Sequence, residues 1–480
     1  MEGTARAIEG ITRRQLIGAA AAMAVVTGVA VATESWWLLL LPFALMMVYW
    51  AFVSLDTLIL ALVAVTPLSI TLKDQGFNVG LSLPAELMLA GITLFLGFRF
   101  IQSGRLPWAA LKHPIGIAIM LQLSWMIVTI LTSEHPLISL KAVISRVWFV
   151  VPMYFRMVEV LSQSKYRQSL FPLYAYPLAI AAIYTMAVHS QYGFSKETST
   201  WVSFPFYKEH TVYGMALAFM YPYAILTALR RNMQPLLRTI AIGLALVLTA
   251  AIILSYTRAA WLSVMAAGAY AVTLRLGMSW RQIIGLLATF AVLLFASQSL
   301  WMDMFTKNET VSSDNFGEHV QSVSNVSTDA SNMERINRWK SAYRMFQERP
   351  HFGWGLGVYQ LEYAPFQHSS DLTIISTNGG DMGNAHSEYI GPLAELGWPG
   401  LLLMLYLVWT IFARGTALYH KLSPGVDKQL VFFALLGLAT YFTHGFLNNF
   451  LDADEGAVLV WSAAAMIVAV ESTAVLNKSK

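Results

Sequence analysis

The sequence contains no cysteine, and only 12% of its 480 residues are charged. The first absence excludes disulfides, thiolate metal sites and cysteine nucleophiles, and it leaves the redox compartment undetermined. The second is about half the charge of a soluble domain. With 56% of the residues hydrophobic, the chain falls in the membrane class. The net charge is only +4 and no basic stripe breaks the apolar runs, so nucleic acid is not an expected partner. An H-E-x-x-H zinc motif and a nucleotide-binding loop are also missing, which argues against a sugar-nucleotide enzyme on the cytoplasmic side.

Long apolar runs are what the sequence does have. A bilayer core takes roughly 17–25 apolar residues per helix. Such runs lie at about 16–33, 36–53, 56–72, 85–101, 114–132, 142–160, 169–189, 211–229, 237–255, 258–275, 282–300, 397–413, 429–446 and 456–475. The second and third are separated only by Ser54–Asp56, so one of them is a candidate for a re-entrant segment. The expected fold is an all-α polytopic membrane protein with about 12–14 transmembrane helices. Its 15 Trp, 20 Tyr and 26 Phe suit interfacial belts, where rings sit half among headgroups. Thr12–Ser35 has a twin-arginine look, but the many spans that follow favour a first membrane helix with Arg13 and Arg14 held inside.

Lys and Arg distribute by alternation. Arg99, Arg105 and Lys112, then Arg156, Lys165 and Arg167, then Arg230, Arg231 and Arg238, then Arg275 and Arg281, then Arg414, Lys421 and Lys428 fall in loops on one side, as do Lys478 and Lys480. The other side's short loops hold Lys73, Lys141, Lys196 and Lys208. Short positive loops stay cytoplasmic, so both termini are expected in the cytoplasm of a bacterial inner membrane protein. Three regions follow: spans and short loops in 1–300, one long periplasmic loop in 301–396 containing short helices, and the last spans in 397–480.

Within that loop, residues 307–331 form a polar, Ser/Asn-rich insertion with the composition of flexible chain. Ser331 and Glu334 have capping-box spacing ahead of a helix that Pro350 stops. Ile336, Trp339, Ala342, Tyr343 and Phe346 predict its apolar stripe, with Arg335, Arg338 and Arg344 around it. His351–Tyr359 is a glycine-rich turn without the strand–helix context of a phosphate loop.

Four places carry candidate chemistry. Arg258 stands between two apolar runs with almost no loop, in a turn whose Ser255, Tyr256 and Thr257 suggest a polar cup; an arginine there suits phosphate. His386 lies in Asn384–Leu396, read as a helix, with Asn384, Glu388 and Glu395 near it, and an imidazole can take a hydroxyl proton near neutral pH. Lys208, His210 and Tyr213 stand where a helix begins on the outer face, as headgroup or sugar contacts. Asp452, Asp454 and Glu455 complete no calcium loop and read as a solvated acidic turn.

"YTRAAW" (Tyr256–Trp261), "ERINRWKSAYRMFQERPHFGWGLGVYQ" (Glu334–Gln360) and "NAHSEYIGPLAELGWPGLL" (Asn384–Leu402) occur in that order. Together they resemble the O-antigen ligase and O-antigen polymerase superfamily of bacterial inner-membrane glycosyltransferases, with ligase the nearest subtype. The resemblance spans roughly Tyr207 to Leu402, and the long polar insertion departs from ligases with shorter loops. It implies a glycan donor on undecaprenyl pyrophosphate at the periplasmic leaflet and an acceptor hydroxyl, on lipid A–core, another glycan or a protein. By that resemblance Arg258 and Arg335, with Arg338 as the neighbouring alternative, grip the pyrophosphate, and His386 is the general base. Lys208, His210, Tyr213, Asn384, Glu388 and Glu395 are supporting candidates. No metal or other cofactor is expected, and in-line attack inverts the anomeric carbon. A polymerase or a protein O-glycosyltransferase shares this chemistry. A glycan flippase would instead need charged or broken spans at mid-membrane in related halves, and no such repeat is visible. A scaffold without catalysis would tolerate loss of Arg258 and His386.

Overall fold

In lipid every backbone N–H and C=O needs an internal partner, and a chain this apolar meets that need as helix. The computed structural model describes residues 24–29, 32–33, 40–72, 81–296, 330–373, 376–377 and 383–478. Its long helices are α1 (Leu40–Val65), α2 (Ala85–Ser103), α3 (Pro114–Ile130), α4 (Pro136–Val150), α5 (Leu170–Ser190), α6 (His210–Ala228) and α7 (Pro235–Leu254). They continue with α8 (Arg258–Arg275), α9 (Trp280–Ala296), α10 (Ala330–Glu348), α11 (Ile390–Lys421), α12 (Val426–His444) and α13 (Asp454–Lys478). Among the described residues, nine helices are long and apolar enough to cross a membrane, and α3 is a shorter apolar one. The protein is an all-α, multi-pass membrane protein.

The difference from a dozen or more spans has identifiable sources. The runs at about 36–53 and 56–72 form one helix, α1, which departs from helical geometry at Ser54 (φ −157°, ψ 83°). Most of the first run lies outside the described residues, as do Arg13, Arg14 and almost all of the polar insertion 307–331. Helices α8 and α9 occupy their expected positions but are not among the nine.

Contacts divide the chain into two units, residues 1–59 and residues 60–480. In the second, α13 is the axis of the core: from Ala457 to Val470 every residue is buried, including Trp461. A helix apolar on all sides must be covered on all sides. Helix α12, the helical turns Val151–Ser162 and α6 provide part of that cover. Helix α4 runs into those turns through a π-helical segment, Val151–Arg156, where Pro152 lacks the N–H of a regular ladder. A small antiparallel hairpin pairs β1 (Ile70–Leu72) with β2 (Leu81–Leu83), Thr71 facing Ser82.

Helix α10 packs against α11. Its buried face is not the aromatic stripe expected from spacing. Tyr343 is 53% exposed, while Glu334, Asn337, Arg338, Ser341, Ala342 and Met345 are buried. The hydrophobic cluster beside it joins Ala342 and Met345 to Trp354, Val358, Tyr359, Tyr363, Ala385 and Ala394. Ser331 falls within α10 rather than at its cap, and Glu334 pairs with Arg338 instead.

Candidate active site

Helices α6, α8, α11 and α13 start, and α7 and α12 finish, at the same end of the bundle. One three-residue turn, Ser255–Thr257, joins α7 to α8, and Tyr256 takes a left-handed conformation there (φ 49°). The Thr257 hydroxyl donates to the His210 carbonyl at 3.1 Å, and the Tyr256 hydroxyl donates to the Phe194 carbonyl at 2.9 Å. Gly214 makes this approach possible: a Cβ there would lie 2.7 Å from the Thr257 side chain. Ser255 donates to the Ile252 carbonyl at 2.8 Å. The hydroxyls of Ser255 and Thr257 therefore serve the backbone rather than lining a cup. What the turn presents is Arg258, in the first position of α8. A helix N-terminus already carries positive partial charge, so a guanidinium in its first turn makes an anion-seeking spot.

Helix α10 brings two arginines, and the geometry separates them. Arg338 donates from Nε to Glu334 Oε1 at 2.7 Å and from a terminal nitrogen to the Asn384 carbonyl at 3.3 Å. It also lies over the Tyr363 ring, 4.8 Å from its centroid. Burial alone would push the Glu334 carboxyl up, but hydrogen bonds from Ser376 and Arg338 hold it below the usual range. Arg335 donates from Nε to the Leu447 carbonyl at 3.2 Å. Its guanidinium is pulled down from its ordinary pKa by burial and then by the nearby charge of Arg258. Two cations held within reach of each other favour an anion between them.

His386 stands beside this pair, but not on a helix. Helix α11 begins at Ile390, and Asn384–Tyr389 is a turn in which His386 has a positive φ of 47°. The Asn384 side chain accepts the His386 backbone N–H at 3.0 Å, fixing the turn by local side-chain capture. Gly383 passes so close to Arg338 that a Cβ there would overlap its guanidinium at 1.5 Å. The imidazole is pushed down to about 4, by burial first and then by Arg335 and Arg338, against the opposing pull of Glu334 and Asn448. At neutral pH it is therefore uncharged and able to accept a proton.

The two glutamates of this segment do other work. Glu388 is buried and accepts from the Tyr441 hydroxyl at 2.6 Å and the Phe450 and Leu451 amides at 2.7 and 2.9 Å. Its own amide donates to the Gly445 carbonyl at 2.8 Å. Burial pushes its carboxyl up, while Arg146 and Tyr441 oppose that. Glu388 thus fastens the His386 turn to the chain after α12. Glu395 accepts from the Tyr359 amide at 3.1 Å and holds the glycine-rich turn. That turn is glycine-rich for space: a Cβ on Gly353 would lie 2.3 Å from the Glu395 backbone, and one on Gly355 2.1 Å from Ser133 Oγ.

Of the remaining candidates, Lys208 is exposed, His210 is half-buried and Tyr213 is buried. The Thr257 bond to the His210 carbonyl puts the start of α6 beside Arg258. The acidic turn is solvated at Asp452, whose side chain is 55% exposed, but not at its other two carboxylates. Asp454 and Glu455 are buried at the start of α13, and Asp452 pairs with Arg146 at 2.7 Å. The Asp-x-Asp spacing of Asp452 and Asp454 is thereby split between two structural roles. Among the described residues, no group of three or more His, Asp or Glu side chains is arranged to hold a metal ion.

Two residues escaped the sequence reading. His444 ends α12, only 1% exposed, and Asn448 follows at 3%. The charge of Arg335 reaches His444. Their stretch drew attention for its carboxylates, and a lone histidine before a turn gives no periodic signal.

Residues 243–405 match the family model described as O-antigen ligase. Over that stretch the chain is similar to the O-antigen ligase family. The matched stretch contains Arg258, Arg335, Arg338 and His386, whereas His210, His444 and Asn448 lie outside it. No curated protein matches the chain. The match covers that stretch alone, within a multi-pass membrane protein.

Proposed function

We propose that the protein transfers a glycan from undecaprenyl pyrophosphate to a hydroxyl of lipid A–core at the periplasmic face of a bacterial inner membrane. The observation that carries this reading is the convergence of Arg258, Arg335 and an uncharged His386 at one end of the bundle. The two guanidiniums bind the pyrophosphate and take up the charge that grows on it as the glycosidic bond breaks. His386 removes the acceptor proton as the hydroxyl oxygen attacks the anomeric carbon from the side opposite the departing pyrophosphate, inverting that centre. Arg338 is a positioning residue: bound to Glu334 and the Asn384 carbonyl, it shapes the His386 turn. Asn384, Glu388 and Glu395 support the same turn and its neighbour, and the His210 carbonyl anchors the Thr257 hydroxyl beside Arg258.

The test is transfer in nanodiscs from a purified undecaprenyl-pyrophosphate glycan to lipid A–core. Labelled core that carries glycan supports the ligase. Longer chains on the donor lipid, with core unmodified, would assign a polymerase instead. Movement of donor across the bilayer without any transfer would assign a flippase.

A further inference from the structure

We propose that His444 and Asn448 bind hydroxyl groups of the donor sugar adjoining the pyrophosphate; this rests on the donor reading above. Both side chains are more than nine-tenths buried; Asn448 accepts from the His386 ring, yet among the described residues both ring nitrogens of His444 and the Nδ2 of Asn448 have no hydrogen-bond partner. Buried polar groups are almost always paired, so such an accumulation in one short stretch calls for a ligand.

The stretch is not free to turn these groups elsewhere. Arg335 holds the Leu447 carbonyl, Glu388 holds the amides of Phe450 and Leu451, and the Glu388 amide holds the Gly445 carbonyl. The Tyr389 hydroxyl donates to the Phe442 carbonyl at 2.9 Å. The backbone that carries His444 and Asn448 is thus pinned by Arg335 and by the His386 turn, next to the proposed pyrophosphate position.

Their chemistry selects the group they take. Phosphate oxygens only accept, and Arg258 and Arg335 already supply charged donors for them. An uncharged imidazole offers one N–H and one lone pair, and the carboxamide adds N–H donors. A group that both gives and accepts hydrogen bonds, as a sugar hydroxyl does, satisfies this set. The pair then distinguishes a glycan-bearing lipid from the bare carrier, which is the product that must leave.

The experiment compares binding of two probes to the full-length protein in nanodiscs: undecaprenyl pyrophosphate and the same lipid carrying one sugar. His444→Leu and Asn448→Ala are expected to weaken binding of the sugar-bearing lipid about tenfold or more while leaving the bare lipid unchanged. His444→Gln, which still donates and accepts, is expected to recover part of the loss, and it decides the matter if His444→Leu does not fold. Equal weakening of both lipids would overturn the proposal in favour of a pyrophosphate contact, and no weakening of either would overturn it outright. Arg335→Gln is the control for the underlying reading: it should weaken both lipids, and if it weakens neither, the pyrophosphate assignment fails independently of His444 and Asn448.

Discussion

The Nε of Arg335 donates to the main-chain carbonyl of Leu447 at 3.2 Å, joining α10 to the turn that follows α12. This bond spends one edge of the guanidinium on the backbone and fixes the rest of the group beside Arg258, whose charge bears on it. A flexible lysine could not be held in this way, since it lacks a planar fork. On the proposed function, the donor therefore meets a preorganised pair of cations rather than side chains that it must gather.

Arg258→Gln and Arg335→Gln should each lower kcat by about 10²–10³-fold, the loss typical of removing one oriented donor from a developing anion. Arg335→Lys should recover little. Steady-state transfer kinetics with each purified variant checks this, and wild-type kcat in either would remove that arginine from the chemistry.

Arg338 should behave differently. It and Glu334 form a buried pair, with side chains 6% and 7% exposed. Arg338→Met alone leaves a buried carboxylate without its main partner, and a loss of about 3–5 kcal/mol of stability is expected. The double variant Glu334→Gln/Arg338→Met should recover much of that. Thermal unfolding in detergent compares them, and additive losses would contradict the pairing.

The pH dependence has a definite sign. An unperturbed imidazole titrates near about 6.5, whereas His386 in the free protein is held down to about 4. It is a usable base until the pH falls through the lower value, so the acid limb of kcat/KM should lie well below about 6.5. The donor's negative charge opposes the two arginines, so the limb of kcat should lie higher than that of kcat/KM. Arg335→Gln removes one cause of the depression and should move the kcat/KM limb upward. A downward movement would sink the electrostatic account.

Gly397 turns the chain within α11 at a φ of 70°, and a Cβ there would lie 2.4 Å from the His351 carbonyl oxygen. Gly397→Ala should cost more than about 1 kcal/mol and lower the melting temperature, since both the backbone and the space are wrong for a side chain. An unchanged melting temperature would contradict this packing.

Helices were the most legible part of the sequence, because apolar runs bounded by charge leave the backbone one solution in lipid. The expected run at 258–275 coincides with α8, and that at 211–229 with α6 displaced by one residue. The irregular pieces were less legible. The expectation of a helix over Asn384–Leu396 puts His386 on it, yet Asn384 captures its amide and sets a left-handed turn before α11 begins. The buried face of α10 is largely polar, and of the expected stripe only Ala342 is fully buried on it: Glu334, Asn337 and Arg338 are buried by hydrogen bonding rather than by hydrophobicity. Arg258 could be singled out because a charge between two apolar runs is conspicuous. His444 could not, because its importance rests on what lies around it.

The most direct test of the central claim separates binding from proton removal: donor affinity and single-turnover transfer measured together on His386→Ala. The account predicts near wild-type affinity for the undecaprenyl-pyrophosphate glycan and a transfer rate reduced by about 10²–10⁴-fold. Transfer at the wild-type rate would contradict it, and would leave His386 as a residue of the turn with no part in the reaction.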